Sequence, residues 1–252
     1  MRGKTKILAP AVLVSVLVVL WWAAVAVSET IIVPTPWRVV LGIVELARQG
    51  TLLDHIAASL FRVGSGYLLA AALAIPLGIF MGWFHGLFAA LNPLTQILRP
   101  ISPIAWIPLA IIWFGVGNMA PIFLIFLSSF FPIVLETTAG VHTIERQYIR
   151  AAQNFGVGGA ALFRQVVVPA ALPHIIVGMR ISLGVAWLVV VAAEMIALKS
   201  GLGYLIIDSR NAGNRYDLVV AGMAIIGVIG LVLDNAMRRL ERLKEVRWKY
   251  GR

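Results

Sequence analysis

The feature that most restricts this chain is a succession of apolar runs, each about as long as a bilayer is thick. They fall at 7–27, 59–83, 94–114, 120–140, 174–198 and 218–237. About 20 apolar residues in a helix cross the hydrocarbon core, whereas a membrane β-barrel shows segments of roughly ten residues that alternate in polarity. Hydrophobic residues make up 60% of the chain and charged residues only 13%, against about a quarter charged in a soluble domain. We therefore expect an all-α integral membrane protein of about six transmembrane helices. The chain divides into an N-terminal end and first span (1–28), an external segment with a short surface helix near 37–48 (29–57), a transmembrane core (58–237) containing a polar loop (141–173), and a basic tail (238–252).

Charge sets the orientation. The net charge of +10 would suit nucleic acid, but its placement argues for a membrane. Arg2, Lys4 and Lys6 open the chain, and Arg238, Arg239, Arg242, Lys244, Arg247, Lys249 and Arg252 close it. Basic residues beside spans are retained on the cytoplasmic side. With both termini there, six spans place the loop with Arg146, Arg150 and Arg164 on the same side. That side then carries thirteen of the 21 Lys and Arg residues, against five in the exported segments. The first apolar run is longer than the h-region of a signal peptide, so it is read as a retained anchor.

Most chemical motifs fail. Gly3-Lys4-Thr5 lacks the glycine and strand that a phosphate-binding loop needs before it. His55, His85, His142 and His174 are scattered without metal-ligand spacing, and cysteine is absent. No catalytic or metal site is expected, and no cofactor of the chain's own.

The 145–173 segment, ERQYIRAAQNFGVGGAALFRQVVVPAALP, is the exception. Residues 144–155 suit a helix, with Gly156 placed to end it in the left-handed conformation. Ala151 and Ala152 give that helix a low-profile face, braced by Tyr148 and Phe155, and such a face can enter a groove on a partner. A second short helix over 160–168 should stop at Pro169, with Pro173 opening the next span.

This spacing resembles the cytoplasmic coupling loop of permease subunits in ATP-binding-cassette importers. Leu98-Arg-Pro-Ile-Ser-Pro-Ile-Ala-Trp-Ile-Pro108, Trp113-Phe-Gly-Val-Gly117, Phe131-Pro-Ile133, Ala192-Ala-Glu-Met195 and Lys199-Ser-Gly-Leu-Gly-Tyr-Leu-Ile206 resemble the nitrate, sulfonate and taurine branch of those permeases. The resemblance implies a type I importer-like permease in a bacterial-type inner membrane. It implies a second permease subunit, by expectation a homodimer, two ATPase subunits that bind ATP and Mg, and an external or periplasmic solute-binding protein. It assigns ATPase coupling to Tyr148, Arg150, Ala151, Ala152, Phe155, Gly156 and Pro169. Where the family usually has glutamate before the two alanines this chain has Arg150, which reverses a charge at the ATPase interface. A self-sufficient channel or secondary carrier is the alternative, though such carriers often show internal repeats and none is visible here.

Ionisable groups within spans usually face the bundle interior. Glu194, about 30 Å along its helix from His174, could pair with an arginine to lock a gate, repel anions, or form a structural ion pair. Arg62 is its candidate partner. Arg180 lies within snorkelling reach of the interface, and Asp234 can pair with Arg238 four residues on. Pro93, Pro100, Pro103 and Pro108 break the third run, so Pro103 and Trp106 are candidates for the wall of a pathway. Gly78, Gly82 and Gly86 suggest close helix packing.

Overall fold

The computed structural model describes the backbone of residues 2–28 and 32–240 and the side chains of 12–27, 32–196 and 198–240. The tail beyond 240 and the basic side chains at 2, 4 and 6 lie outside these residues. Among the described residues the ordered elements are helices: α1 (Arg2–Ser28), α2 (Pro36–Arg48), α3 (Thr51–Trp83), α4 (His85–Leu98), α5 (Ile107–Phe114), α6 (Met119–His142), α7 (Arg146–Asn154), α8 (Gly159–Leu162), α9 (Val168–Ala197), α10 (Leu202–Asn211) and α11 (Tyr216–Leu240). A 3-10 turn, Pro103–Trp106, precedes α5, and a π turn, Phe163–Val167, precedes α9.

Four helical stretches are long and apolar enough to cross a membrane: Thr51–Trp83, Met119–His142, Gly159–Ile196 and Tyr216–Leu240. A fifth crossing requires the broken pair α4 and Pro103–Phe114, which bend by 84°. The bend falls in the region where the clustered prolines were read to break the third run. Pro100, Pro103 and Pro108 each remove a backbone donor there, and the chain turns instead of continuing. Within α1 the described apolar stretch, Val12–Val27, is shorter than a full span. The second span begins at Thr51, eight residues before the apolar run does, because Gly50, at φ 77°, ends the preceding turn.

The core is a three-helix unit. α3 runs parallel to α6, and α9 runs antiparallel to both. Small residues make this possible: a Cβ at Gly66 would lie 2.6 Å from the Ile122 carbonyl oxygen, and one at Gly78 would lie 2.6 Å from Thr137 Cβ. Gly82 meets Val141 in the same way, but Gly86 lies past the end of α3 and meets nothing within 4 Å. The fourfold spacing therefore works as packing only to Gly82. α11 joins through Trp187, whose indole N–H donates to the Ile226 carbonyl at 3.1 Å. Packed against α11, α2 lies where the sequence suggested a short helix, capped by Thr35 with proline at its first turn. Arg215 bridges to Glu45 at 2.7 Å and to Asp217 at 2.9 Å, tying α2 to the turn before α11.

Beyond α7 the chain departs from expectation. No helix stops at Pro169. α8, the π turn and α9 form one apolar stretch from Gly159 to Ile196, with Pro169 in its first α-turn and Pro173 inside the helix. Proline costs little at the start of a helix, where the N–H has no partner anyway. The π turn, a wide-pitched insertion, carries the chain into that start without breaking the axis.

Candidate functional site

α9 connects two places of opposite character. Its stretch of 38 residues extends about 57 Å at 1.5 Å per residue. One end meets the 143–167 loop; the other meets the loop between α9 and α10.

At the far end Arg62 and Glu194 are 2% and 0% exposed and bridge at 2.6 Å from Nη1 to Oε1. Two buried charges are costly unless every lone pair and proton finds a partner. Here they do so densely. Ser59 Oγ donates to the Glu194 carboxylate, 2.8 and 2.9 Å from its two oxygens, and the Gly203 N–H donates to Oε2 at 3.0 Å. Arg62 donates from Nε to Asn118 Oδ1 at 2.9 Å, from Nη1 to the Ser200 carbonyl at 2.9 Å, and from Nη2 to Ser200 Oγ at 2.6 Å. Leu202 N–H donates to Ser59 Oγ at 2.9 Å, and Gly201 N–H donates to His55 Nδ1 at 3.1 Å. One network thus joins α3, the start of α6, the end of α9 and the start of α10.

Glycine is required at 201 on two counts. Its φ is +108°, and a Cβ would overlap the Glu194 carboxyl carbon. The Gly201-Leu202-Gly203 segment is a backbone cradle for that carboxylate. Arg62, a candidate for the pathway or gate and for pairing with Glu194, makes that pair and is committed to this internal lattice, with its Nε, Nη1 and Nη2 all engaged.

Arg180 is elsewhere. It lies fourteen residues before Glu194 on α9, about 21 Å away, and donates from Nε to Asp234 Oδ1 at 2.9 Å. Arg238 holds the other oxygen of Asp234 at 2.8 Å, the pairing that the four-residue spacing suggested. His174 Nδ1 and Glu136 Oε2 approach to 3.6 Å across α9 and α6. Pro103 opens the 3-10 turn at the bend. Trp106, next to it, packs on a small cluster with Ile107, Ala110, Leu124 and Val189.

At the loop end α7 stands outside the bundle, and none of its nine residues is buried. Tyr148 is 50% exposed and Phe155 88%; Arg150 and Ala151 are exposed, and Ala152 is partly so. Such exposure of an aromatic pair has no stabilising role within this chain. The helix is nonetheless sharply terminated. Gly156 adopts φ 78°, its N–H donates to the Gln153 carbonyl at 2.9 Å, and the Val157 N–H donates to the Ala152 carbonyl at 3.0 Å. That pair of bonds is a Schellman cap. It fixes α7's exit angle, as the glycine's position suggested.

The sequence missed Ser59, Asn118, Ser200 and Gly203 as members of the far-end network. The run Ser-Gly-Leu-Gly after an intramembrane glutamate was the available signal. Among the described residues no cluster of His, Asp or Glu could hold a metal.

Residues 74–246 match the family model described as binding-protein-dependent transport system inner membrane component. A putative ABC transporter permease protein of Methanocaldococcus jannaschii is 42% identical over 230 residues, covering 89% of this chain and 86% of its own length. The taurine transport system permease protein TauC of Escherichia coli is 37% identical, with 90% and 85% covered. The nitrate import permease protein NrtB of a Synechocystis strain is 34% identical, with 94% and 89% covered. Among solved structures, the inward-facing MetNI methionine ABC transporter superposes with a TM-score of 0.67 at 16% identity, over 76% of this chain and 95% of that one; this likeness concerns the fold.

Proposed function

The chain belongs to the family of binding-protein-dependent transport system inner membrane components, and from that membership we propose how it works. It is a multi-pass ABC importer permease of the taurine, sulfonate and nitrate branch. In our reading it moves a small anion (taurine, another sulfonate, nitrate or a bicarbonate-like anion) inward by alternating access. Two copies of the chain sit on two ATPase subunits, which hold ATP and Mg, and an external solute-binding protein delivers the anion. Both termini and the 141–173 loop lie in the cytoplasm.

The observation that carries this reading is α7: a capped, rigidly aimed helix with no buried residue and an aromatic pair turned outward. An amphipathic helix that buries nothing in its own chain has its partner elsewhere. Ala151 and Ala152 keep its surface low between Tyr148 and Phe155, so it can enter a groove on an ATPase subunit. Arg150 presents a positive charge there, which a carboxylate on the partner would match. From α7 motion passes through the π turn and Pro169 into α9, and so to the far-end network. Arg62 and Glu194 serve in this reading as the anchorage of the outer mouth. The solute meets other groups, with Pro103 and Trp106 at the broken span forming part of its wall and Arg180 nearer the cytoplasmic exit.

Because the chain has no cysteine, Ala151→Cys provides a unique attachment point. A short thiol-linked photoprobe at this position in native membranes should capture an ABC ATPase subunit, identified by mass spectrometry. Capture of lipid or of this chain alone, with the thiol still labelled from the cytoplasm, would overturn the coupling assignment.

A further inference from the structure

A cavity of ≈ 480 Å³ lies beside the π turn, between the loop end of α3 and the start of α9. Pro76, Ile79 and Phe80 form one wall, Phe163 and Val168 the other, and Arg164 stands at the rim. Trp83 gives the depth of this cavity. Its ring lies 4.9 Å from that of Phe163, at the last residue of α3. Tryptophan at the end of a span sits at the level of the lipid headgroups. Ile79 and Phe80, about one turn earlier, then lie at the start of the acyl region, with Arg164 level with phosphate.

An occupant of this space must be apolar over most of its length and negative at one end. Arg164 is exposed, and among the described residues it has no acidic partner. Arg146 and Arg150, exposed on the same loop, add positive potential. We propose that the cavity is a binding site for an anionic phospholipid of the loop-side leaflet. One acyl chain lies against Ile79, Phe80 and Phe163, and the phosphate sits on Arg164. A zwitterionic lipid offers the same phosphate with its own cation attached, and gains less from the arginine. The lipid would fill the gap beside the one irregular turn between the loop and α9, and so make that joint sensitive to membrane charge. The site rests on the membrane placement proposed above and is independent of any ATPase.

The test uses the full chain in vesicles with a bimane fluorophore on Phe80→Cys, and on Leu73→Cys as a reference on an exposed part of the same helix. Phosphatidylcholine vesicles receive brominated phosphatidylglycerol or, separately, brominated phosphatidylcholine. At position 80 the brominated anionic lipid should be the better quencher by about fivefold in effective mole fraction, the preference given by the ~1 kcal/mol that one arginine contributes near an anionic surface. Arg164→Gln should abolish that preference, and position 73 should show none. Equal quenching by both lipids at position 80 would overturn the proposal, leaving only bulk lipid. Absence of quenching by either would also overturn it, because protein, such as a second copy, then covers the face. Quenching at position 73 verifies membrane embedding whichever way position 80 falls.

Discussion

The two ends of α9 solve opposite problems. At the far end, two full charges are withdrawn from solvent and held by hydroxyls, amides and backbone N–H groups from four segments distant in sequence. At the loop end, a nine-residue helix keeps every side chain at least partly exposed, and its end is fixed by its cap. A buried network with all partners present is costly to disturb, since one lost member strands the others. An exposed capped helix can be pushed without breaking anything behind it. The far end is built to stay together, and the loop end leaves its helix open to solvent.

That contrast is breakable. The largest effect should come from Glu194→Ala, which leaves the Arg62 guanidinium buried without its counter-charge. Removing one partner of a buried pair costs about 3–5 kcal/mol, so thermal unfolding of the detergent-solubilised protein should shift down strongly or the variant should fail to accumulate. Wild-type melting would mean that the network does not anchor this end. Gly201→Ala should come next, at about 1–3 kcal/mol, because the new Cβ overlaps the carboxylate and the backbone is left-handed; unperturbed unfolding would contradict the cradle.

At the loop end effects should be local. Gly156→Ala places a Cβ in the left-handed region, at about 1–2 kcal/mol. Hydrogen exchange should speed up at the amides of 156 and 157 while the far-end amides of 201–203 keep their protection. Equal protection in the variant would show that the cap is not what holds α7. Smallest for stability is Phe155→Ala, which should stay within about 0.5 kcal/mol of the parent. Solute uptake by the assembled transporter should nevertheless fall sharply, and normal uptake would remove Phe155 from the coupling surface.

Much of the loop end was legible because its signals are local. Gly156 after a helical pattern, paired alanines and flanking aromatics act within a dozen residues, and the observed cap involves only residues 152–157. Near Pro169 this legibility failed. Proline reads as a stop, yet the preceding π turn takes up the mismatch and the helix runs on, a compensation with no sequence signature of its own. In the third run the clustered prolines were themselves the signal: they marked a break, and the structure shows its size, a bend of 84°. Arg62 and Glu194 were legible as intramembrane charges and as candidate partners, and they do pair, but Ser59, Asn118 and Ser200 are ordinary polar residues until the fold places them around the pair.

By itself the sequence determined that this chain is a helical membrane protein with a polar loop that carries a capped helix, since hydropathy, basic flanks and helix caps act over one or two turns. Only the tertiary structure decided that Arg62 forms the structural pair with Glu194 among the alternatives left open, that the Ser200–Gly203 loop joins them, and that Gly66, Gly78 and Gly82 admit α6 while Gly86 does not. Those outcomes depend on contacts between segments as much as 138 residues apart, and in a low-dielectric interior each polar group is stabilised only by the neighbour that the packing of three helices brings to it.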